Sequence, residues 1–232
     1  MQSNNRILLV DDENDILEFL SYNLKNEGLQ VLTCNDGKTA LSLLDDFMPH
    51  LIVLDVMMPG MDGIETCEQI RLNPKYNNII ITFLTARSED YSQVAGLEAG
   101  ADDYINKPIK PKVLVSRVKA LLRRKPSEIS WTNHTNNVIE ISDLKIDRES
   151  YQVTVDTIDL SLPRKEFEIL YLLASKPGKV FNRDEIFDKI WGDDVVVGGR
   201  TIDVHIRKLR KKLGRDYITT VKGIGYKFNS NL

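Results

Sequence analysis

The chain of 232 residues is 28% charged and 42% hydrophobic, with a formal net charge of −3. That length holds one large domain or two ordinary ones, each with its own core, and 13 Gly and 8 Pro exclude a collagenous or low-complexity chain. The longest apolar runs, such as residues 7–10 and 51–54, fall far short of the ~20 residues that cross a bilayer, and the opening MQSNNR has no secretory core, so the sequence predicts a cytoplasmic protein without membrane attachment. Cys34 and Cys67 are too few for a disulfide framework and lack metal-ligand spacing; both are expected to be reduced and structural.

Charge is spread unevenly. Residues 1–124 hold 13 Lys and Arg against 18 Asp and Glu, residues 125–232 hold 18 against 16, and residues 200–215 alone carry seven bases and one acid. A basic segment on an acidic protein predicts a placed binding surface.

In the first half, short β-branched runs at 7–10, 30–33, 51–54, 79–84 and 104–106 alternate with amphipathic helical stretches, the last over 111–124. Apolar strands joined by helical crossovers predict an α/β fold with a doubly wound parallel sheet. Gly28 suits the residue just past the first helix, and Asp62-Gly63 the start of the third. Residues 125–137 lack periodicity and predict a linker between domains at 1–124 and 138–232.

Chemistry in such a sheet lies beyond the carboxyl ends of the strands. Asp11 and Asp12 follow the first strand, Asp55 the third, Thr85 the fourth and Lys107 the fifth. Three carboxylates in one crevice raise each other's pKa values unless a cation neutralises them, and hard oxygen ligands suit Mg²⁺. A carboxylate beside that ion can attack phosphorus while an ammonium and a hydroxyl hold the equatorial oxygens, which makes Asp55 the candidate acyl-phosphate acceptor. Singly, each of these residues is better explained as a helix cap or a turn; together, at the ends of four strands, they define a site.

The segments LLVDDE, LIVLDVMMPGMDG, FLTAR and GADDYINKP resemble the receiver domain of bacterial two-component response regulators. The resemblance implies a flavodoxin-like sheet of order 2-1-3-4-5. It also implies Mg²⁺ held by Asp12, Asp55 and the Met57 carbonyl, with Asp11 reaching it through water, and phosphorylation of Asp55 by a histidine kinase. Lys107 would precede a cis Pro108. Thr85 and Tyr104 would be a switch pair that alters the face of the fourth helix, fifth strand and fifth helix; without that role, Tyr104 is a half-buried strand tyrosine. In the fifth helix Leu114, Val118 and Leu121 form the core stripe, leaving Val113 outside it. The resemblance makes this face a homodimer interface, with Asp102 or Asp103 paired to Arg117 beside an apolar patch of Val94, Leu97 and Val115. Gln93 and Val113 stand where such proteins commonly carry a basic residue and a Glu, so one ion pair is missing.

In the second half, alternating segments at 138–146 and 152–162 predict small antiparallel strands; helices are predicted over 164–175, 183–191 and 200–213, and a hairpin over 217–221 and 226–229. Three helices and a C-terminal hairpin make a winged helix-turn-helix. Its third helix carries the DNA prediction. Ile202, Ile206, Leu209 and Leu213 form a core stripe, while Arg200, Val204, Arg207 and Lys211 repeat on the opposite face, flanked by Lys208, with Asp203 the one acid. Cations on a helix that fits the major groove neutralise phosphates and reach guanine edges. His205 lies beside both stripes and is expected to touch phosphate or pack.

LPRKEFEILYLL, GRTIDVHIRKLRKKLG and ITTVKGIGYKF resemble the effector domain of the OmpR/PhoB family. The resemblance places Arg200, Thr201, Val204, Arg207, Lys208 and Arg210 on promoter DNA, with Lys222 in the minor groove, and puts the 192–199 loop where such proteins meet RNA polymerase; a plain connector explains that loop equally well. Lys222 replaces a common Arg and lacks its planar fork. Pro163 replaces a Thr/Ser cap at a cost of about 1 kcal/mol. The sequence therefore predicts a phosphorylation-controlled, dimeric transcription regulator. An orphan regulator that ignores phosphate is opposed by the complete pocket. A Mg²⁺-dependent phosphatase is opposed by Met57, where such enzymes place a general acid.

Overall fold

A computed structural model describes residues 5–85, 96–122, 137–191, 200–214 and 216–229. The chain forms two compact units, Met1–Arg123 and Arg124–Leu232. Most of the predicted linker at 125–137, together with Gln93, Val94, the 192–199 loop and the side chain of Arg200, lies outside the described residues.

In the first unit, β1 (Arg6–Val10), α1 (Asn14–Asn26), β2 (Gln30–Cys34), α2 (Gly37–Phe47), β3 (Leu51–Asp55), α3 (Gly63–Leu72), β4 (Ile80–Thr85), β5 (Asp103–Asn106) and α4 (Pro111–Leu122) follow in order. The strands pair in parallel as β2-β1-β3-β4-β5. β3 and β4 are buried along their whole length, which is why they appear in the sequence as unbroken apolar runs. Leu8, Val10, Ile52, Leu54, Ile81 and Phe83 pack with Ala40, Leu44, Cys67 and Ile70 into one core. On α4, Leu114, Val118 and Leu121 are buried as their spacing requires.

The helix ends follow local chemistry. α1 closes with Gly28 at φ +79°, its N–H bonded to the Lys25 carbonyl and that of Leu29 to Leu24, the paired bonds of a Schellman turn that a left-handed glycine permits. The Asp36 and Asp62 side chains accept from the N–H groups of Thr39 and Glu65, capping α2 and α3. At Gly63 a Cβ would stand 2.0 Å from the Asp55 carbonyl oxygen, so glycine lets α3 start directly against the end of β3 and fixes where Asp55 emerges.

The second unit opens with β6 (Val138–Ile141), β7 (Leu144–Asp147), β8 (Gln152–Val155) and β9 (Ile158–Leu160), an antiparallel meander. Each alternating run of the sequence is thus a hairpin rather than one strand. The turns are tight: Asp156 and Thr157 both have positive φ, as a two-residue type I′ turn demands. α5 (Arg164–Ala174), β10 (Phe181–Asn182), α6 (Arg183–Trp191), α7 (Arg200–Leu213), β11 (Ile218–Val221) and β12 (Gly225–Phe228) follow, with a small sheet of order β10-β12-β11. Pro163 precedes α5 without a side-chain cap. Ile202, Ile206, Leu209 and Leu213 of α7 are buried with Phe167, Trp191, Tyr217 and Phe228.

Candidate functional site

β1 and β3 are neighbours, so Asp11, one residue past β1, and Asp55, the last of β3, emerge side by side; ligand oxygens of Asp11, Asp12 and Asp55 lie within 4.8 Å of one another. Asp11 and Asp55 are buried and Asp12 is exposed. Lys107, after β5, reaches across with Nζ 2.8 Å from Asp11 Oδ2 and 3.0 Å from Asp55 Oδ1. Its own N–H bonds to the Thr85 carbonyl at 2.7 Å, and the Lys107-Pro108 peptide is cis. The other oxygens are held by backbone: Asp11 Oδ1 accepts from the Glu13 N–H at 3.0 Å and Asp55 Oδ2 from that of Met57 at 2.9 Å. Thr85 is buried at the end of β4, Tyr104 is half-buried on β5, and the Met57 side chain is exposed.

Burial raises the Asp55 carboxyl above its ordinary value, and the Asp11 charge adds to this, while Lys107 opposes it. Burial acts to lower the Lys107 ammonium, but its bonds to the two carboxylates prevail and hold it above the usual lysine value. Three carboxylates against one ammonium leave an excess of hard anionic oxygen, a donor set that fits a small divalent cation.

On the face proposed for self-association the geometry corrects two expectations. Asp102 bonds at 2.9 Å to Arg71 of α3, while its Oδ2 also accepts the Ile81 N–H; it is engaged with Arg71 rather than with Arg117. Asp103 instead lies 3.5 Å from Arg117 within the chain. Successive residues entering a strand point to opposite faces, so only one of the two acids can meet α4. Leu97 is 2% exposed and belongs to the core rather than to an open apolar patch. Val113 is 46% exposed and Val115 half-buried.

In α7 the cations divide. Arg207 and Lys211 are exposed, as is Lys222 in the turn between β11 and β12. Arg210 is engaged within the domain: its guanidinium bonds to the Ile218 carbonyl at 2.9 Å and to Thr220 Oγ1 at 2.8 Å. Lys208 faces the buried Glu166 at 3.8 Å, and Lys212 bonds to the same carboxylate at 2.7 Å. Thr201 and Val204, expected on DNA, are buried in the chain, although a helical wheel sets Val204 opposite the core stripe. His205 is buried 5.7 Å from the Trp191 ring, the packing role. Sequence reasoning missed the Arg71–Asp102 pair, the Glu166 cluster and the bonds of Asp203 to Arg183 and Tyr226, because each joins residues far apart in the chain.

A parallel sheet with this acidic pocket, followed by a winged helix, defines a response regulator with a DNA-binding effector domain. Residues 7–119 match the response regulator receiver domain family, and residues 157–228 the family of transcriptional regulatory protein C-terminal domains. The chain is 40% identical over 229 residues to the phosphate regulon transcriptional regulatory protein PhoB of Rhizobium meliloti, spanning 97% of this chain and 99% of that protein. It is 42% identical over 233 residues to the alkaline phosphatase synthesis transcriptional regulatory protein PhoP of Bacillus subtilis, spanning 97% and 96%. Among solved structures it is similar to the Thermotoga maritima OmpR/PhoB homologue DrrB, at 35% identity and a TM-score of 0.51 over 98% of this chain and all of that one. The chain belongs to the OmpR/PhoB family of two-component response regulators. It is a DNA-binding transcriptional regulator, in a family of regulators rather than catalysts, with a histidine kinase and DNA as its partners. Among the described residues no helix is long and apolar enough to cross a membrane.

Proposed function

We propose that Asp55 is the phosphoacceptor and that the pocket around it is the control point of transcription. The carrying observation is the convergence of Asp11, Asp12, Asp55 and Lys107 in one crevice. An Asp55 carboxylate oxygen attacks the phosphorus of the kinase phosphohistidine; the acyl-phosphate O–P bond forms as the P–N bond breaks, and the imidazole leaves with the electron pair. Lys107, no longer needed by a bare Asp55, balances the charge on the new phosphoryl oxygens, and the hydroxyl of Thr85, at the end of β4, donates to them. Asp11, Asp12, Asp55 and the Met57 carbonyl are the residues that would hold Mg²⁺, which when bound supplies further positive charge to the phosphoryl group. Slow hydrolysis of the acyl phosphate by water resets the protein, the Met57 thioether having no proton to give as a general acid.

Phosphorylation moves Thr85 and Tyr104 and favours a homodimer through β5 and α4, where Arg117 exchanges its partner Asp103 for that of a second copy. In the second domain, Arg207 and Lys211 of α7 enter the major groove of promoter DNA and Lys222 the minor groove. Residues 125–137 link the domains, the 192–199 loop meets RNA polymerase, and the protein works in the cytoplasm. Incubation with acetyl phosphate and Mg²⁺, read by intact-protein mass spectrometry, tests the assignment: one phosphoryl group is expected on the parent chain and none on Asp55→Asn, whose amide is a poor nucleophile. Undiminished labelling of the variant overturns it.

A further inference from the structure

The acid of α7 is not where a DNA-facing helix would be expected to tolerate one. Asp203 lies within a segment of seven bases, and its side chain is 44% exposed. Its carboxylate is claimed from two sides. Arg183, the first residue of α6, donates to it through Nε at 2.8 Å and through a terminal nitrogen at 3.3 Å, the two-pronged match that a guanidinium gives a carboxylate. The Tyr226 hydroxyl, from β12, donates to the same Oδ1 at 2.6 Å.

Tyr226 belongs to the wing. The residue is 4% exposed, and two guanidiniums approach its ring, Arg183 with its central carbon 5.2 Å from the ring centroid and Arg210 at 5.9 Å. Arg210, from the middle of α7, binds the other wing strand at the Ile218 carbonyl and Thr220 Oγ1. Backbone closes the loop: Phe181 pairs with Tyr226 and Asn182 with Gly225, and the next residue is Arg183. A Cβ on Gly225 would stand 2.0 Å from the Phe181 carbonyl oxygen, so glycine permits this close approach of β12 to β10. Arg183 is therefore joined to the wing through the sheet and to α7 through its side chain. Burial and the bond to Asp203 push the Tyr226 phenol up to about 12, and the hydroxyl stays a donor at every physiological pH.

We propose that Asp203, Tyr226, Arg183 and Arg210 form a positioning bridge that fixes the distance and angle between α7 and the wing, so that the major and minor grooves are engaged as one unit. The proposal rests on the reading that puts Arg207 and Lys222 on DNA. None of the four bridge residues needs to touch a base. Their work is to hold Lys222 where the groove will be once α7 is seated, which removes an ordering cost from specific binding. Binding to random DNA has no fixed register and gains nothing from that spacing, because a loose wing still finds a phosphate. The bridge thus acts on specificity rather than on overall attraction.

The test uses the full-length chain, a duplex selected by it from a random pool, and an unrelated duplex of equal length. Tyr226→Phe removes one hydroxyl and keeps the ring. It is expected to weaken binding to the selected duplex about five- to tenfold and to the unrelated one less than about twofold, with the thermal midpoint of the effector domain within about 3 °C of the parent. Lys222→Ala is then measured in both backgrounds. Its cost on the selected duplex is expected to shrink by at least about half when Tyr226 is Phe, since the wing is no longer held in register. Thr220→Val, on an exposed residue, loosens the Arg210 side of the bridge and is expected to act in the same direction. Equal losses on both duplexes, or an undiminished Lys222 cost in the Tyr226→Phe background, overturn the bridge alone. A Lys222→Ala chain that binds both duplexes like the parent overturns the placement of the wing on DNA, and the bridge with it.

Discussion

Removing Lys107 should expose how the acidic pocket is held together. Its ammonium lies 2.8 Å from Asp11 and 3.0 Å from Asp55, whose side chains are 3% and 4% exposed. Taking one partner from a buried ion pair costs about 3–5 kcal/mol, because the remaining charge is left without compensation. Lys107 is itself 16% exposed and Asp12 opens to solvent, so water screens part of the loss and ~2–3 kcal/mol is expected for Lys107→Ala. In a domain of this size each kcal/mol moves the midpoint by roughly 3–5 °C, which gives a fall of ~6–15 °C for the receiver transition in EDTA. A divalent cation can replace the missing charge. Mg²⁺ at about 100 times its Kd returns about 2.7 kcal/mol by mass action, and more of it should be needed by the parent, whose ammonium competes for the same oxygens. Scanning calorimetry with EDTA and with Mg²⁺ reads both quantities, the receiver transition being the one that responds to the ion. A variant midpoint within about 2 °C of the parent in EDTA, or an equal Mg²⁺ response in the two proteins, refutes the reasoning.

The raised Asp55 carboxyl has a pH signature. A folded-state value above the unfolded one means that the native protein binds the proton more tightly; the associated stability is complete below the ordinary carboxylate range and is lost as pH rises through the folded value. Asp55→Asn should therefore be the more stable chain at pH 8 in EDTA and lose less as pH rises from the ordinary carboxylate range to 8, and parallel stability curves would show the assignment to be wrong. Asp102→Ala should destabilise the receiver domain by about 3–5 kcal/mol, since it strands Arg71, 8% exposed, and the Ile81 N–H; denaturant unfolding of the receiver checks it, and a change under about 1 kcal/mol would mean the pair is dispensable. Arg207→Ala should cost ~1–3 kcal/mol on a selected duplex and relax one base position, and equal losses on selected and random DNA in salt titrations would reduce Arg207 to a phosphate contact.

Much of this molecule is written locally. The five apolar runs, the glycine past α1 and the Asp caps are short-range signals, and the hydrophobic period of α7 identifies Ile202, Ile206, Leu209 and Leu213 as core, as the structure has them. The acidic pocket is legible for the same reason: a residue at the carboxyl end of a strand in a parallel sheet has one place to go, so Asp11, Asp55 and Lys107 meet once the strand order is known. What the sequence left open is which side chains share a partner. Asp102 and Asp103 are chemically identical neighbours, and only the way the chain enters β5 sends one to Arg71 and the other to Arg117. Arg207 and Arg210 differ by one turn of a wheel, yet the first is exposed and the second is bound to the wing. Spacing along a chain fixes the direction of a side chain relative to its own helix or strand; what stands in that direction is decided by elements tens of residues away, and that belongs to the tertiary structure alone.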